Sequence, residues 1–285
     1  MEVLLIRHAE TEANRARRYA GRTDEPINDN GIKHAQRCLY PAVESVYVSP
    51  LQRTQQTAAL LFPHKEQTVV ADLIEMDFGD FESLTAEELA SNPDYQNWVD
   101  SFCESKCPNG EDRTDFDTRV CNAFDAIIAE AYAQGIQNLA IVAHGGTVMG
   151  IMDRQKESDC PLNYDRVTPN CTGYHLKLDP ARWEHDPDFL SVKKINGLDW
   201  QESHSSFFQH TNCEYFPCHA TPSPKDFNCL FCFCPLYALG KQCGGVPEFT
   251  DGGIKSCHAC TLPHLRESYP YLLKLSLTTP SSSAA

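Results

Sequence analysis

Four short apolar runs, separated by helix-forming sequence, constrain the fold of this chain more than any other feature. They are Val3-Leu4-Leu5-Ile6, Ser45-Val46-Tyr47-Val48, Thr68 to Ala71, and Leu139-Ala140-Ile141-Val142-Ala143. Runs this short and this apolar read as strands buried on both faces, as in a parallel sheet. Turn chemistry at Asp24-Glu25-Pro26 and Asn28-Asp29-Asn30-Gly31 leads into a helix from about Ile32 to Leu39. Ser49-Pro50 reads as the N-cap and first residue of a helix running to about Phe62. Thr85-Ala86-Glu87-Glu88 has the form of a capping box for a helix ending near Ser91. A longer helix is predicted from about Asp115 to Gln134, with Phe116, Val120, Phe124, Ile127 and Ala131 on its apolar face and Gly135 as its stop. Thr147 to Arg154 reads as another helix. Strands alternating with helices imply βαβ units, so the expected class is α/β, a three-layer, doubly wound, mainly parallel sheet. Tyr174 to Leu178 and Leu190 to Val192 are candidate later or edge strands.

Such sheets place their ligand sites beyond the carboxyl ends of the strands. Arg7-His8 ends the first run, Arg53 falls in the first turn of the helix after the second, Glu75 follows the third, and His144 ends the fourth. All five residues therefore belong to one edge. The residue types suit phosphoryl transfer. A neutral imidazole can attack phosphorus and hold the group covalently, dividing one difficult displacement into two. Guanidiniums and a second imidazole can donate to the nonbridging oxygens as charge redistributes. A carboxyl can protonate the leaving alkoxide and then, as carboxylate, take a proton from water. This chemistry requires no metal.

The net charge of −15 across 285 residues argues against a nucleic-acid or anionic-membrane footprint, which needs clustered Lys and Arg. A small anionic substrate remains compatible, because a few focused arginines override the global field locally. No basic region with a following apolar core opens the chain, and no run of about 18 apolar residues occurs, so a cytosolic location is expected.

Leu5-Ile6-Arg7-His8-Ala9-Glu10-Thr11 with Asn14 resembles the signature of the histidine phosphatase superfamily, the phosphoglycerate-mutase-like proteins. Ser49-Pro50-Leu51-Gln52-Arg53-Thr54 with Thr57-Ala58 is similar to its second block, and Leu73-Ile74-Glu75 with Phe78-Gly79 to its acid block. Pro108-Asn109-Gly110-Glu111 resembles a downstream substrate loop, and Val142-Ala143-His144-Gly145-Gly146 the final block. The blocks occur in family order over residues 1–179. The resemblance implies His8 as phosphoryl acceptor, Arg7, Arg53 and His144 as phosphate ligands, and Glu75 as proton donor. Asn14, Gly21 and Arg22 match a loop that helps form the site. Where the family often has Trp-Glu-Gly, this chain has Phe81-Glu82-Ser83, which makes Glu82 an alternative acid or a substrate-binding residue. The short link from Glu75 to the long helix favours a phosphatase over a mutase, and the block pattern looks like the alpha-ribazole phosphatases of cobalamin assembly. A broad sugar- or nucleotide-phosphate phosphatase uses the same chemistry.

Of the 14 cysteines, eight crowd into the last third of the chain. His210 and Cys213 are followed by Cys218-His219, by Cys229, Cys232 and Cys234, then by Cys243, Cys257, Cys260 and His264. In a reducing cytosol this crowding reads as metal ligation before disulfides. Thiolates with imidazole favour zinc, and the supply exceeds one four-ligand site, so one or two structural zinc ions are expected, with the partition of ligands open. Iron–sulfur is a competitor, but the spacing does not reproduce the common ferredoxin run. Phe216, Phe227, Phe231, Phe233 and Tyr237 are the candidate small core of this region. The segment also resembles the cysteine-rich small domain associated with cobalamin-synthesis proteins.

The expected organisation is a phosphatase domain over 1–179, a connection over 180–204, a cysteine-rich metal-binding domain over 205–277 and a disordered tail over 278–285. The expected partners are a small phosphorylated substrate and, through the cysteine-rich region, a protein. A reading of another class is a metal-dependent scaffold carrying a weakly active phosphate-binding domain.

Overall fold

In chain order the sheet strands are β1 (Glu2–Arg7), β2 (Ser45–Val48), β3 (Gln67–Val69), β4 (Asn138–Ala143), β5 (Gly173–Leu178) and β6 (Phe189–Ile195). They are arranged β3-β2-β4-β1-β5-β6, with the first four parallel and β5 and β6 antiparallel. Helices α1 (Glu12–Arg15), α2 (Asp29–Arg37), α3 (Gln52–Leu61), α4 (Pro93–Asp100), α5 (Arg113–Ala133) and α6 (Gly145–Asp153) occupy the connections. This computed structural model describes residues 1–154 and 168–276. They divide into two units, one of Met1–Ala35 with Tyr40–Asn196, the other of Gln36–Leu39 with the chain from Gly197 onward. The expected tail over 278–285 lies outside the described residues.

The strand order explains the layers. From β1 to β2 to β3 the chain steps outward in one direction; from β3 it returns to insert β4 beside β1. Right-handed crossovers put helices of outward and returning steps on opposite faces. Residues Val3 to Ile6 and Leu139 to Ala143 are accordingly buried throughout, because both faces of β1 and β4 are covered. The α5 face Phe116, Val120, Phe124, Ile127 and Ala131 is buried in the main apolar cluster together with Leu5, Leu139 and Ile141. Asp112 caps α5 through a hydrogen bond from the Asp115 amide.

Three expectations change. The third apolar run is only a three-residue edge strand, and Val69 is exposed, since an edge strand has one neighbour and less cover. The capping box at Thr85 forms both of its hydrogen bonds with Glu88 but closes only a turn. Asn92 then caps a separate helix, α4, with Pro93 in its first turn. The edge strand expected at Leu190 to Val192 forms as β6 and pairs along β5, so the sheet extends into the stretch expected to connect domains.

β1 and β5 approach closely because Gly173 lacks a side chain: a Cβ there would lie 1.9 Å from the Leu5 carbonyl oxygen. Gly173→Ala should therefore destabilise the first unit by about 3 kcal/mol, the upper range for overpacking a tight site. Urea unfolding measures this, and an unchanged midpoint would show that the strands can part freely.

Candidate active site

The parallel strands deliver two imidazoles to one place. His8 follows β1, His144 follows β4, and these strands are hydrogen-bonded neighbours. The ring centroids lie 5.2 Å apart at an interplanar angle of 66°. Both rings are buried, His8 with 4% of its surface exposed and His144 with none. His8 Nδ1 is 2.7 Å from the Ala9 carbonyl oxygen. A carbonyl only accepts, so Nδ1 carries the proton and Nε2 presents a lone pair. Backbone anchors hold this residue: Ala9 N–H donates to Thr57 Oγ1 at 2.9 Å, and the Asn170 side-chain amide donates to the His8 carbonyl at 2.9 Å.

Arg53 sits in the first turn of α3 and is 1% exposed. Its Nε–H donates to His144 Nδ1 at 3.2 Å, and its terminal nitrogens donate to the carbonyls of Thr23, Ala20 and Gly21. An accepting Nδ1 fixes His144 as the other tautomer, whose Nε2–H donates to Ser49 Oγ at 2.7 Å. Ser49 therefore orients an imidazole and is not the predicted helix cap; α3 begins at Gln52, after Leu51. Arg7 donates to the Thr168 carbonyl at 2.7 Å, while its buried Nε has no hydrogen-bond partner among the described residues.

Glu75 is buried between two backbone donors, Met76 N–H at 2.9 Å and Gly146 N–H at 2.8 Å. Gly146 permits this: a Cβ there would lie 2.4 Å from the carboxylate. Glu82 is placed differently. Its carboxylate accepts from the amides of Gly21, Arg22 and Thr23, from Thr23 Oγ1 at 2.6 Å, and from Phe78 N–H at 3.3 Å. With both oxygens so engaged, Glu82 braces the loop whose carbonyls hold Arg53. Gly21 likewise has its N–H on Glu82 and its carbonyl on Arg53. Arg22 reaches toward Asp77 and Glu111 at 3.9 and 3.6 Å and is partly exposed. Asn14 closes a capping box with Thr11 and accepts from the Asn170 amide at 3.1 Å.

Sequence reading missed Asn170, Thr168 and the role of Ser49. Asn170 and Thr168 precede β5, and only the pairing of β5 with β1 brings that segment to His8. The charge balance follows from burial. His8 is held well below its ordinary 6.5, first by burial and then by Arg53 and Arg7; His144 is lowered in the same way. Burial also lowers both arginines, with Glu75 acting in the opposite direction. The site thus sets neutral imidazoles among cationic donors, an arrangement suited to a phosphate dianion.

In the second unit, the described residues bring Cys218, His219 and His264 together, with one donor atom of each within 4.8 Å of the others. Desolvation and the sulfurs of Cys232, Cys229 and Cys213 raise the Cys218 thiol. Burial raises the Cys234 thiol too, but there the neighbouring sulfurs are Cys257 and Cys260. Cys243 lies with Cys234 in the unit's small apolar cluster around Leu236 and Leu272. His210 is exposed and stacks on Phe208. Of the predicted aromatic core, Phe227 is buried, whereas Phe233 is 79% exposed.

A doubly wound sheet with two imidazoles and two guanidiniums at its carboxyl edge defines a phosphoryl-transfer protein. Residues 3–186 match the histidine phosphatase superfamily (branch 1), and the chain belongs to it as a phosphoric monoester hydrolase. Residues 204–282 match the cysteine-rich small domain. The chain is 32% identical over 210 residues to the adenosylcobalamin/alpha-ribazole phosphatase of Salmonella typhimurium, covering 69% of this chain and 96% of that protein. It is 30% identical over 164 residues to a broad-specificity phosphatase of Saccharomyces cerevisiae, covering 53% and 69%. The crystal structure of a putative alpha-ribazole-5′-P phosphatase from Escherichia coli superposes with a TM-score of 0.58 at 26% identity, over 70% of this chain and 97% of that one.

Because His8 stays neutral far below 6.5, kcat/KM should not fall as pH passes through that value. Arg7→Gln removes a neighbouring cation, raises the His8 pKa and moves the acid limb upward in a pH profile of kcat/KM. Stability has its own sign. The unfolded histidines take up protons near 6.5 that the buried ones refuse, so their contribution is present above 6.5 and lost as pH falls below it. Urea midpoints at pH 5.5 and 7.5 should differ accordingly. Ser49→Ala, which frees the His144 ring, should lower kcat about tenfold with the fold retained; an unchanged kcat would remove Ser49 from the positioning of His144.

Proposed function

We propose that the chain hydrolyses alpha-ribazole 5′-phosphate, or its cobamide phosphate form, through a phosphohistidine on His8. The observation that carries the reading is the buried His8 ring: Nδ1–H is tied to the Ala9 carbonyl, and the ring feels the guanidiniums of Arg53 and Arg7. In the first step His8 Nε2 attacks phosphorus, and the P–O bond to the leaving group breaks as the Glu75 carboxyl protonates the alkoxide. In the second, the Glu75 carboxylate takes a proton from water, the oxygen attacks phosphorus, the P–N bond breaks and phosphate leaves. Arg7 binds a nonbridging oxygen through the Nε that has no partner among the described residues, and Arg53 and His144 join it by exchanging hydrogen bonds to the loop carbonyls and to Ser49 for phosphate oxygens. Asn14, Gly21 and Arg22 shape the substrate side, and Glu82 braces their loop.

The Salmonella relative, aligned over nearly its whole length, supports the substrate, as does the cysteine-rich small domain. The yeast relative supports a second reading, broad specificity toward phosphoesters. Phosphoryl transfer uses no metal in this scheme. Zinc is the proposed structural ion of the second unit, where thiolates and imidazoles lie together. The crowding of thiols and imidazoles that reads as metal ligation supports the cytosol as the compartment.

Rapid quenching with 32P-labelled alpha-ribazole 5′-phosphate should label His8, and His8→Ala should abolish both label and turnover. An active His8→Ala protein would overturn the mechanism. Glu75→Gln should lower kcat about 10²–10⁴-fold. Across a panel of phosphoesters, equal kcat/KM for unrelated alcohols would replace the cobamide reading with the broad one.

A further inference from the structure

The sulfur donors of the second unit are not one pool. Cys218 Sγ lies 3.2 Å from His219 Nδ1 and 3.8 Å from His264 Nε2. Metal–sulfur bonds of about 2.3 Å and metal–nitrogen bonds of about 2.0–2.1 Å at tetrahedral angles separate such donors by about 3.5 Å. The observed distances bracket that separation.

His264 is built to point. It is 2% exposed, and its Nδ1 lies 2.9 Å from the Asn228 carbonyl. The carbonyl fixes Nδ1 as the protonated nitrogen, so the Nε2 lone pair faces Cys218. A hydrogen bond from the far nitrogen of a ligand histidine to a carbonyl is the usual support of such a ligand. Phe227 stacks on the imidazole at 4.4 Å and 11°, and Asn228 N–H donates back to the His264 carbonyl at 2.8 Å. Asn228 is itself buried, donating to the Ser206 carbonyl and accepting from the amides of Phe208 and Leu230. The second group borders the first, since His219 Nε2 lies 3.4 Å from the Cys257 carbonyl, but its sulfurs have other neighbours: Cys257 and Cys260 lie by Cys234, Cys260 N–H donates to the Cys257 carbonyl at 3.0 Å, and Cys260 Sγ abuts Gly245.

Resting on the reading that the unit binds structural metal, we propose that Cys218, His219 and His264 form a mixed thiolate–imidazole centre for a divalent ion of the zinc class. It is separate from the sulfur group of Cys234, Cys257 and Cys260. The Cys229–Cys232 pair, which neighbours Cys218, supplies the fourth donor.

The test uses the full chain loaded with zinc and dialysed. X-ray absorption at the zinc edge of the unaltered protein should show nitrogen scatterers beside sulfur; an all-sulfur shell overturns the proposal without any variant. Elemental analysis should then show that Cys218→Ser and His264→Gln each lose the same single ion per chain. Cys257→Ser with Cys260→Ser should remove a different one, so that the two losses add. Full metal content in Cys218→Ser, or loss of one shared ion by both sets, overturns the separate mixed centre. Absence of zinc from the unaltered protein would instead overturn the structural-metal reading itself. Phosphatase turnover in each variant reports whether the first unit is intact.

Discussion

Two guanidinium ions drawn in beside Glu75, Arg53 buried and Arg7 partly so, are the constraint that the rest of the first unit obeys. Arg7 and Arg53 cannot give up their protons, and removing such ions from water is costly unless every donor is met. Arg53 meets that demand with three loop carbonyls and an imidazole. The loop can turn its carbonyls inward only because Glu82 collects its amides from the other side. The site's cations are thus held by the dipoles of a loop that an anion restrains in turn. Arg7 is not fully met: one buried donor is left over, at a cost of about 1–3 kcal/mol that an incoming anionic oxygen would relieve.

The same excess of positive charge decides the state of the histidines. Near two guanidiniums, protonating a buried imidazole would add a third cation to a water-poor site. Each ring is therefore neutral, and its one proton goes where the fold offers an acceptor. For His8 that acceptor is its neighbour's carbonyl, which leaves Nε2 basic; for His144 it is Ser49, while Nδ1 accepts a hydrogen bond from Arg53 Nε–H. Two identical side chains 5.2 Å apart are made chemically different by their hydrogen bonds. One is left with a lone pair, the other is committed on both nitrogens.

Much of this could be read from the residues because parallel strands turn sequence position into spatial position. Arg7, His8, Arg53, Glu75 and His144 each stand at or just after the carboxyl end of an apolar run, so one rule gathers them. The rule covers only parallel strands. Thr168 and Asn170 precede an antiparallel strand and reach the site through sheet order, which no local pattern carries. Ser49 was legible as a residue and misread as a cap, because Ser-Pro before a helix satisfies a local preference that a buried imidazole here outbids. The helix expected at Thr85 failed for a related reason: its capping hydrogen bonds form, but Asn92-Pro93 begins a new helix a few residues on. Glu82 could be chosen as an acid from its position, yet only its five donors reveal a brace.

The two units reach order by different physics. Electrostatic preorganisation requires donors that do not move when charge redistributes, and the first unit suits this by holding Arg7, His8 and His144 at the ends of strands buried on both faces. Among its described residues, the second has a small buried apolar cluster of Leu236, Cys243 and Leu272, with Trp200, Phe227 and Cys260 also buried and Phe233, Val246 and Ile254 exposed. Burial on that scale does little against the conformational entropy of some eighty residues. Its buried polar groups are instead bound to one another: Asn228 ties four partners, and Lys255 donates to the carbonyls of Leu236 and Tyr237. Hydrogen bonds add only about 1 kcal/mol each, so they select one arrangement more than they drive folding. On the proposed structural-metal reading, the thiols and imidazoles gathered on irregular backbone would supply the remaining stability by gripping an ion.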